Sequence, residues 1–242
     1  MNLDVLAIGA HPDDIELACC GTIAKLVKQG KRVGILDITQ GELGTRGSKS
    51  IREKEAKEAA KILGVSLREN LKLSDGSFEV NHKNILKLIQ VIRKYRPKIL
   101  LIPYFHERHP DHEHAHQLAK EAWFYSGLKN IRTQENGKEQ SAFRPDTYFQ
   151  FMQRYEFTPS FIIDITDVYV VRINAIKAFA SQFYNPHSKE PETVLSQPSF
   201  IELLETRAKY FGSQIGVKYG EPFFYHESIG IEDLFSLKLF MG

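Results

Sequence analysis

The sequence predicts a Rossmann-like α/β fold, doubly wound, with one mainly parallel sheet and helices on both faces. Three observations carry this expectation. Short, near-continuous apolar runs recur along the chain, segments of helical apolar spacing alternate with them, and 242 residues is a length that suits one α/β domain. Strands covered on both faces read as unbroken apolar runs, and parallel neighbours need a crossover that a helix supplies.

Residues 3–8 form the first apolar run, closed by Gly9, and residues 32–38 form the second. Between them Ile15, Leu17, Ala18, Ile23, Ala24, Leu26 and Val27 recur at helical spacing, completing a β-α-β unit. Residues 48–63 are helical in spacing and end at Gly64, a suitable C-cap. Residues 84–95 form the next helix, stopped by Pro97 and followed by the apolar run 99–102. A helix over 111–126 leads into a polar stretch, 129–140, which reads as a mobile surface insertion. Residues 147–152 and 161–165 read as strands and residues 168–183 and 199–211 as helices, with a proline-containing loop, 185–198, between these helices. No repeat or linker interrupts the pattern, so residues 1–242 read as a single domain. Crossovers in such a sheet are right-handed, and ligands bind at the carboxyl ends of its strands.

Composition narrows the function. The 32 basic and 30 acidic residues leave a net charge of +2 and are mixed along the chain, so no electrostatic footprint for nucleic acid is present. Asp4 interrupts the N-terminal apolar run, and no basic segment precedes it. That excludes a signal peptide or membrane span there and points to a soluble, cytoplasmic protein. The two cysteines, Cys19 and Cys20, are neighbours on a helix and face different directions; they read as small core residues, not as a disulfide or metal pair.

The chemistry gathers in two loops. The first strand runs into Gly9-Ala10-His11-Pro12-Asp13-Asp14, an imidazole and two carboxylates where a dinucleotide fold would carry glycines. The run 99–102 leads into a segment holding His106, His109, His112, His114 and His116. First and fourth strands can be neighbours at the switch point of a doubly wound sheet, so the two loops can meet. Imidazole and carboxylate donors without cysteine suit zinc or a similar divalent ion, with His11, Asp14 and one histidine of the second loop as candidate ligands. His112-Glu113-His114-Ala115-His116 also matches the H-E-x-x-H pattern of zinc peptidases. That alternative leaves the His11 loop without a task and offers no third ligand. The segment 41–50 looks like a phosphate-binding loop but lacks its spacing; it is either a wall of the same pocket or a flexible turn.

Ala10-His11-Pro12-Asp13-Asp14 together with His109-Pro110-Asp111-His112 resembles the zinc N-deacetylases of the LmbE-like, or PIG-L, family. The similarity extends through residues 41–47, 52–56 and 212–223, and is greatest to the branch that serves bacillithiol biosynthesis. The resemblance implies one catalytic zinc, or another divalent ion such as iron(II), held by His11, Asp14 and His112. It implies Asp13 as general base, His109 as a positively charged oxyanion stabiliser and Asp111 as the group that orients His109. It further implies Arg52, helped by Arg46, as a contact to a substrate carboxylate, His187 as a pocket residue, and a homo-oligomer. The substrate implied is N-acetylglucosaminyl malate, cleaved to glucosaminyl malate and acetate, with inositol-linked or oligosaccharide conjugates of N-acetylglucosamine as alternatives. A non-catalytic sugar- or metal-binding protein is disfavoured, since Asp13 and His109 are not needed to hold an ion. The chain departs from the family at Ala18-Cys19-Cys20-Gly21, where a more glycine-rich turn is usual, a difference that bears on packing.

Overall fold

The computed structural model of the protein describes residues 1–236. Its elements are β1 (Val5–Gly9), α1 (Asp14–Ala18), α2 (Cys20–Lys28), β2 (Val33–Thr39), α3 (Lys49–Leu63), β3 (Leu67–Leu73), α4 (His82–Tyr95), β4 (Ile99–Pro103) and α5 (Pro110–Ser126). A small hairpin of β5 (Gln134–Glu135) and β6 (Lys138–Glu139) follows, then β7 (Thr147–Phe151), β8 (Phe161–Asp164), α6 (Tyr169–Lys177), α7 (Phe200–Ser213) and β9 (Gly220–Phe224).

Seven strands form one sheet in the order β3-β2-β1-β4-β7-β9-β8. The pairs β3–β2, β2–β1, β1–β4 and β4–β7 are parallel, and β9 runs antiparallel to both its neighbours. The fold class is therefore the one the apolar runs imply. Alternate residues of β1 serve opposite faces: Val5 and Ala7 pack with Ile15, Ile23, Ala59 and Ala175, while Leu6 and Ile8 pack with Leu88, Ile89 and Leu118. β1 and β4 lie side by side in parallel register, so their carboxyl ends open on the same edge and bring both polar loops together.

Some elements differ from expectation. The first helix is broken at Cys19, with α2 starting anew. The cause lies far along the chain: the Glu221 carboxylate of β9 accepts hydrogen bonds from the amides of Gly21 (2.9 Å) and Thr22 (2.6 Å) and from the Thr22 hydroxyl (2.7 Å). It thereby supplies acceptors to the otherwise unpaired N–H groups of a helix start. Cys19 and Cys20 are buried in the core, and burial pushes both thiols well above the usual range. The polar stretch 129–140 contains a small surface hairpin, β5 and β6. Asn136 and Gly137 take positive φ at its turn, as tight hairpins require, and Arg93 of α4 anchors its approach by donating to the Leu128 carbonyl (2.8 Å) and the Thr133 hydroxyl (2.9 Å). Helix α6 stops at Lys177, short of the expected 183, and Ser181 beyond it donates its amide to Glu55 (2.7 Å). Among the described residues no helix is long and apolar enough to cross a membrane.

Candidate active site

Past the end of β1 the chain turns sharply before α1. Asp13 takes φ 113°, a left-handed conformation that costs a non-glycine residue roughly 1–3 kcal/mol, and Asp14 starts the helix with its Oδ2 accepting the His11 amide at 2.8 Å. Past the end of β4, His109 caps α5: its ring Nδ1 accepts the amide of Asp111 at 3.2 Å, and Pro110 occupies the first turn, where its missing N–H costs nothing.

The two turns meet in one cluster. His11, Asp14 and His112 each present a ligand atom, and those atoms lie within 4.8 Å of one another. His112 Nε2 is 3.1 Å from Asp14 Oδ1, and His11 Nδ1 is 3.5 Å from Asp14 Oδ2. The other ring nitrogen of His11, Nε2, is 3.0 Å from Asp75 Oδ1 and 3.3 Å from Asp111 Oδ2. Gln153 donates to Asp14 Oδ1 at 2.9 Å. A metal-binding imidazole backed by a carboxylate on its second nitrogen is the usual arrangement of a built metal site, so the residues present fit a divalent ion. A second grouping, His11, His109 and Asp111, is less apt, because the Asp111 oxygen nearest His11 also accepts the Gly76 amide at 2.8 Å.

Three carboxylates bear on the His11 ring. Burial disfavours a charged His11, yet Asp111, Asp14 and Asp75 outweigh it and hold its pKa well above the usual histidine range. Asp14 is buried too, but His112 and His11 hold its carboxyl well below the usual value. Asp13 behaves oppositely. Burial pushes its carboxyl up to about 6, with Asp14 adding to the effect and Arg52 opposing it. Burial, then the neighbouring charges of His11 and His112, lower His109.

Several expected roles need correction. Asp111 does not hold His109 through its carboxylate, which turns to His11 and Gly76; only its backbone amide meets the His109 ring. With Nδ1 accepting that amide, a neutral His109 carries its proton on Nε2. The lowering of its pKa by burial and by the neighbouring histidines favours that neutral form. Arg52 is buried and lines the cavity: it donates to Asp13 Oδ1 (3.0 Å), to the Gly41 carbonyl (3.3 Å) and to the Pro12 carbonyl, which makes it a clamp on Asp13, while its Nε has no partner among the described residues. Arg46 is likewise buried, donating to the Ser181 carbonyl (3.0 Å) and the Ser188 hydroxyl (3.1 Å). His187 is exposed and does not line the cavity. The peptidase pattern fails on geometry. Glu113 accepts the Glu107 amide at 2.9 Å, and His116 donates to the Pro103 carbonyl at 2.9 Å, so neither reaches the cluster.

The cluster lies in a cavity of about 510 Å³. Leu43, Gly44 and Thr45 line it, which makes the 41–47 loop a pocket wall. Leu195, Phe200 and Leu204 form an apolar side. Asp75 and Gln153 were missed from sequence. Gln153 lies just past the end of β7 and was within reach of the strand-end rule; Asp75 follows β3, a strand the apolar pattern did not reveal.

A mainly parallel sheet whose strand ends gather imidazoles and carboxylates about one cation site, beside a buried acid in a cavity, is the arrangement of a metal-dependent hydrolase. Residues 6–123 match the PIG-L family, described as GlcNAc-PI de-N-acetylase. A diacetylchitobiose deacetylase of Thermococcus kodakarensis is 34% identical over 231 residues, covering 90% of this chain and 80% of that one. The crystal structure of a conserved protein from Thermus thermophilus has a TM-score of 0.85 at 34% identity, covering 96% of this chain and 98% of that one. The chain belongs to the PIG-L family of metal-dependent deacetylases. The expected affinity with the malate-conjugate branch is distant: a probable N-acetyl-α-D-glucosaminyl L-malate deacetylase 2 of Bacillus anthracis is 27% identical over 196 residues, covering 74% of this chain and 81% of that one.

Proposed function

We propose that the protein hydrolyses the N-acetyl group of an N-acetylglucosamine conjugate, releasing acetate and a free amine, with one zinc ion held by His11, Asp14 and His112. The observation that carries the reading is the juxtaposition of that ligand set with the buried Asp13 in a single cavity. A bound zinc supplies Lewis-acid polarisation of the acetyl carbonyl and lowers the pKa of water to about 7. Asp13, clamped by Arg52, takes the proton of the attacking water and returns it to the departing amine. His109, through Nε2–H, donates to the developing oxyanion, a contribution that for one such donor is about 2.7–4 kcal/mol. Gln153 holds Asp14 in place.

For the aglycone, similarity to the diacetylchitobiose deacetylase supports a short N-acetylglucosamine oligosaccharide. The malate conjugate is a second reading, supported by Arg108 and Arg154, which are exposed and line the cavity, and whose planar forks suit carboxylates. Acetate release from diacetylchitobiose, the malate conjugate, an inositol conjugate and free N-acetylglucosamine tests both, using protein stripped of metal and reloaded with zinc. Zinc-restored release from at least one is expected, with Asp13→Ala keeping the metal but losing turnover and His11→Ala losing the metal. Absence of release from all four by zinc-loaded protein would refute the reading.

A further inference from the structure

We propose that Asp75 is a positioning residue with two tasks: it fixes the tautomer of His11, and it ties that imidazole to the loop that walls the cavity. The inference rests on the reading of His11 as a metal ligand. Asp75 is buried, with a side-chain exposure of 7%. Its two carboxylate oxygens have separate partners. Oδ1 lies 3.0 Å from His11 Nε2, and Oδ2 accepts the amide of Leu43 at 2.9 Å.

A carboxylate can only accept, so His11 Nε2 must carry a hydrogen toward it. The lone pair of a neutral imidazole is then on Nδ1, the nitrogen 3.5 Å from Asp14. Asp111 faces the same Nε2 from farther off, at 3.3 Å, and its oxygen is shared with the Gly76 amide. Asp111 thus braces the Asp75 turn, while Asp75 is the shorter partner of the ring.

The second task follows from a reciprocal clasp. Glu42 Oε1 accepts the amide of Asp75 at 2.9 Å, while Asp75 accepts the amide of Leu43, so each loop caps the other. The fit is close, for a Cβ on Gly76 would stand 2.9 Å from the Leu43 side chain, and Gly76 itself takes φ 67°. Leu43 lines the cavity. The same side chain therefore serves the ligand and the wall, and the two tasks separate by mutation.

In Asp75→Asn the single remaining acceptor oxygen cannot serve both Leu43 and His11; if it keeps Leu43, its NH₂ faces Nε2 and selects the wrong tautomer. Zinc affinity, measured by chelator competition, is expected to fall by roughly 10- to 100-fold, with kcat recovering at saturating zinc. Glu42→Ala is expected to leave zinc affinity within about twofold of wild type and to raise KM instead, since it loosens only the wall. Circular dichroism of the metal-free proteins fixes a temperature at which all are folded. Asp75→Asn binding zinc as tightly as wild type there would overturn the inference while leaving the proposed function intact. Wild type that takes up no zinc would remove both. Histidine ¹⁵N spectra of the zinc-loaded wild type need no variant: Nδ1 coordination with Nε2–H is expected, and zinc on Nε2 of His11 would overturn the proposal.

Discussion

Arg68, on β3, reaches across the sheet to two acids beneath the active-site turn. Its Nε and Nη2 bind Asp37 of β2 in bidentate fashion (2.8 and 2.9 Å), and Nη1 binds Glu16 of α1 at 2.6 Å. All three side chains are buried, at 7%, 3% and 0% exposure, so Arg68→Met strands two carboxylates in the core. Removing one partner of such a pair costs about 3–5 kcal/mol, against a total stability of about 5–15 kcal/mol for a typical protein. For a chain of 242 residues each kcal/mol moves Tm by about 2–4 °C, so the melting point is expected to drop by roughly 6–20 °C. Urea titration followed by circular dichroism gives the same quantity as a change in midpoint at constant slope. A companion variant, Arg68→Met/Glu16→Leu/Asp37→Leu, removes the charges together and is expected to recover most of the loss, because the penalty arises from unpaired buried charge and not from lost packing. A single substitution costing under about 1 kcal/mol, or a triple variant no better than the single one, would refute this reasoning.

Three further outcomes are expected. Burial depresses His116 to about 4, below the ordinary histidine value near 6.5. The unfolded chain therefore binds this proton first, stability falls as pH drops from about 6.5 toward about 4, and the loss from this group approaches ~3 kcal/mol. Denaturant titrations across that range should show the slope flattened in His116→Phe, and an unchanged slope would exclude His116 as its source. Gly21→Ala places a Cβ 2.7 Å from Glu221 Oε1 and 2.8 Å from Ile165, so it is expected to cost about 1–3 kcal/mol in urea titration; a neutral result would mean that the Glu221 cap is not closely packed. Arg52→Lys loses the fork that holds Asp13, and kcat is expected to fall for neutral and anionic conjugates alike with KM little changed. A loss confined to KM for the malate conjugate would instead return Arg52 to substrate binding.

How much of this was legible in the sequence depends on the range over which each residue finds its partner. β1 and β4 are apolar runs and β2 nearly so, and the neighbouring of β1 and β4 follows from the switch-point rule, which is why the meeting of the two polar loops could be read from the chain. β3 escaped because it lies at the sheet edge and alternates leucines with Arg68, Glu69, Asn70 and Lys72; β9 escaped because Gly220 and Pro222 mask it. The ligand types were legible for a local reason, since strand ends expose their loops to the site. Partners were not. The two-residue spacing of His109 and Asp111 suggests that they pair with each other, yet the cap geometry uses only the Asp111 backbone for that, and its carboxylate turns to a residue 100 positions earlier.

The same distinction explains Arg52. A guanidinium near a motif and an enzyme with an anionic candidate substrate invite a substrate contact, but a buried guanidinium must first satisfy its own donors, and the carbonyls of Pro12 and Gly41 and the carboxylate of Asp13 are closest. Burial, which no motif records, gives Arg52 this positioning role. Burial also distinguishes the arginines at the cavity: Arg46 beside it is consumed in holding loops, Arg52 holds Asp13, Arg207 is half-buried and donates to the Gln153 carbonyl, and Arg108 and Arg154 are exposed. The exposed pair is the one whose guanidinium forks stand open to an anionic aglycone. Arg108→Ala/Arg154→Ala is accordingly the variant that separates the two candidate substrates: it is expected to raise KM for the malate conjugate while leaving that for diacetylchitobiose unchanged, and equal effects on both would show that these side chains read something other than charge.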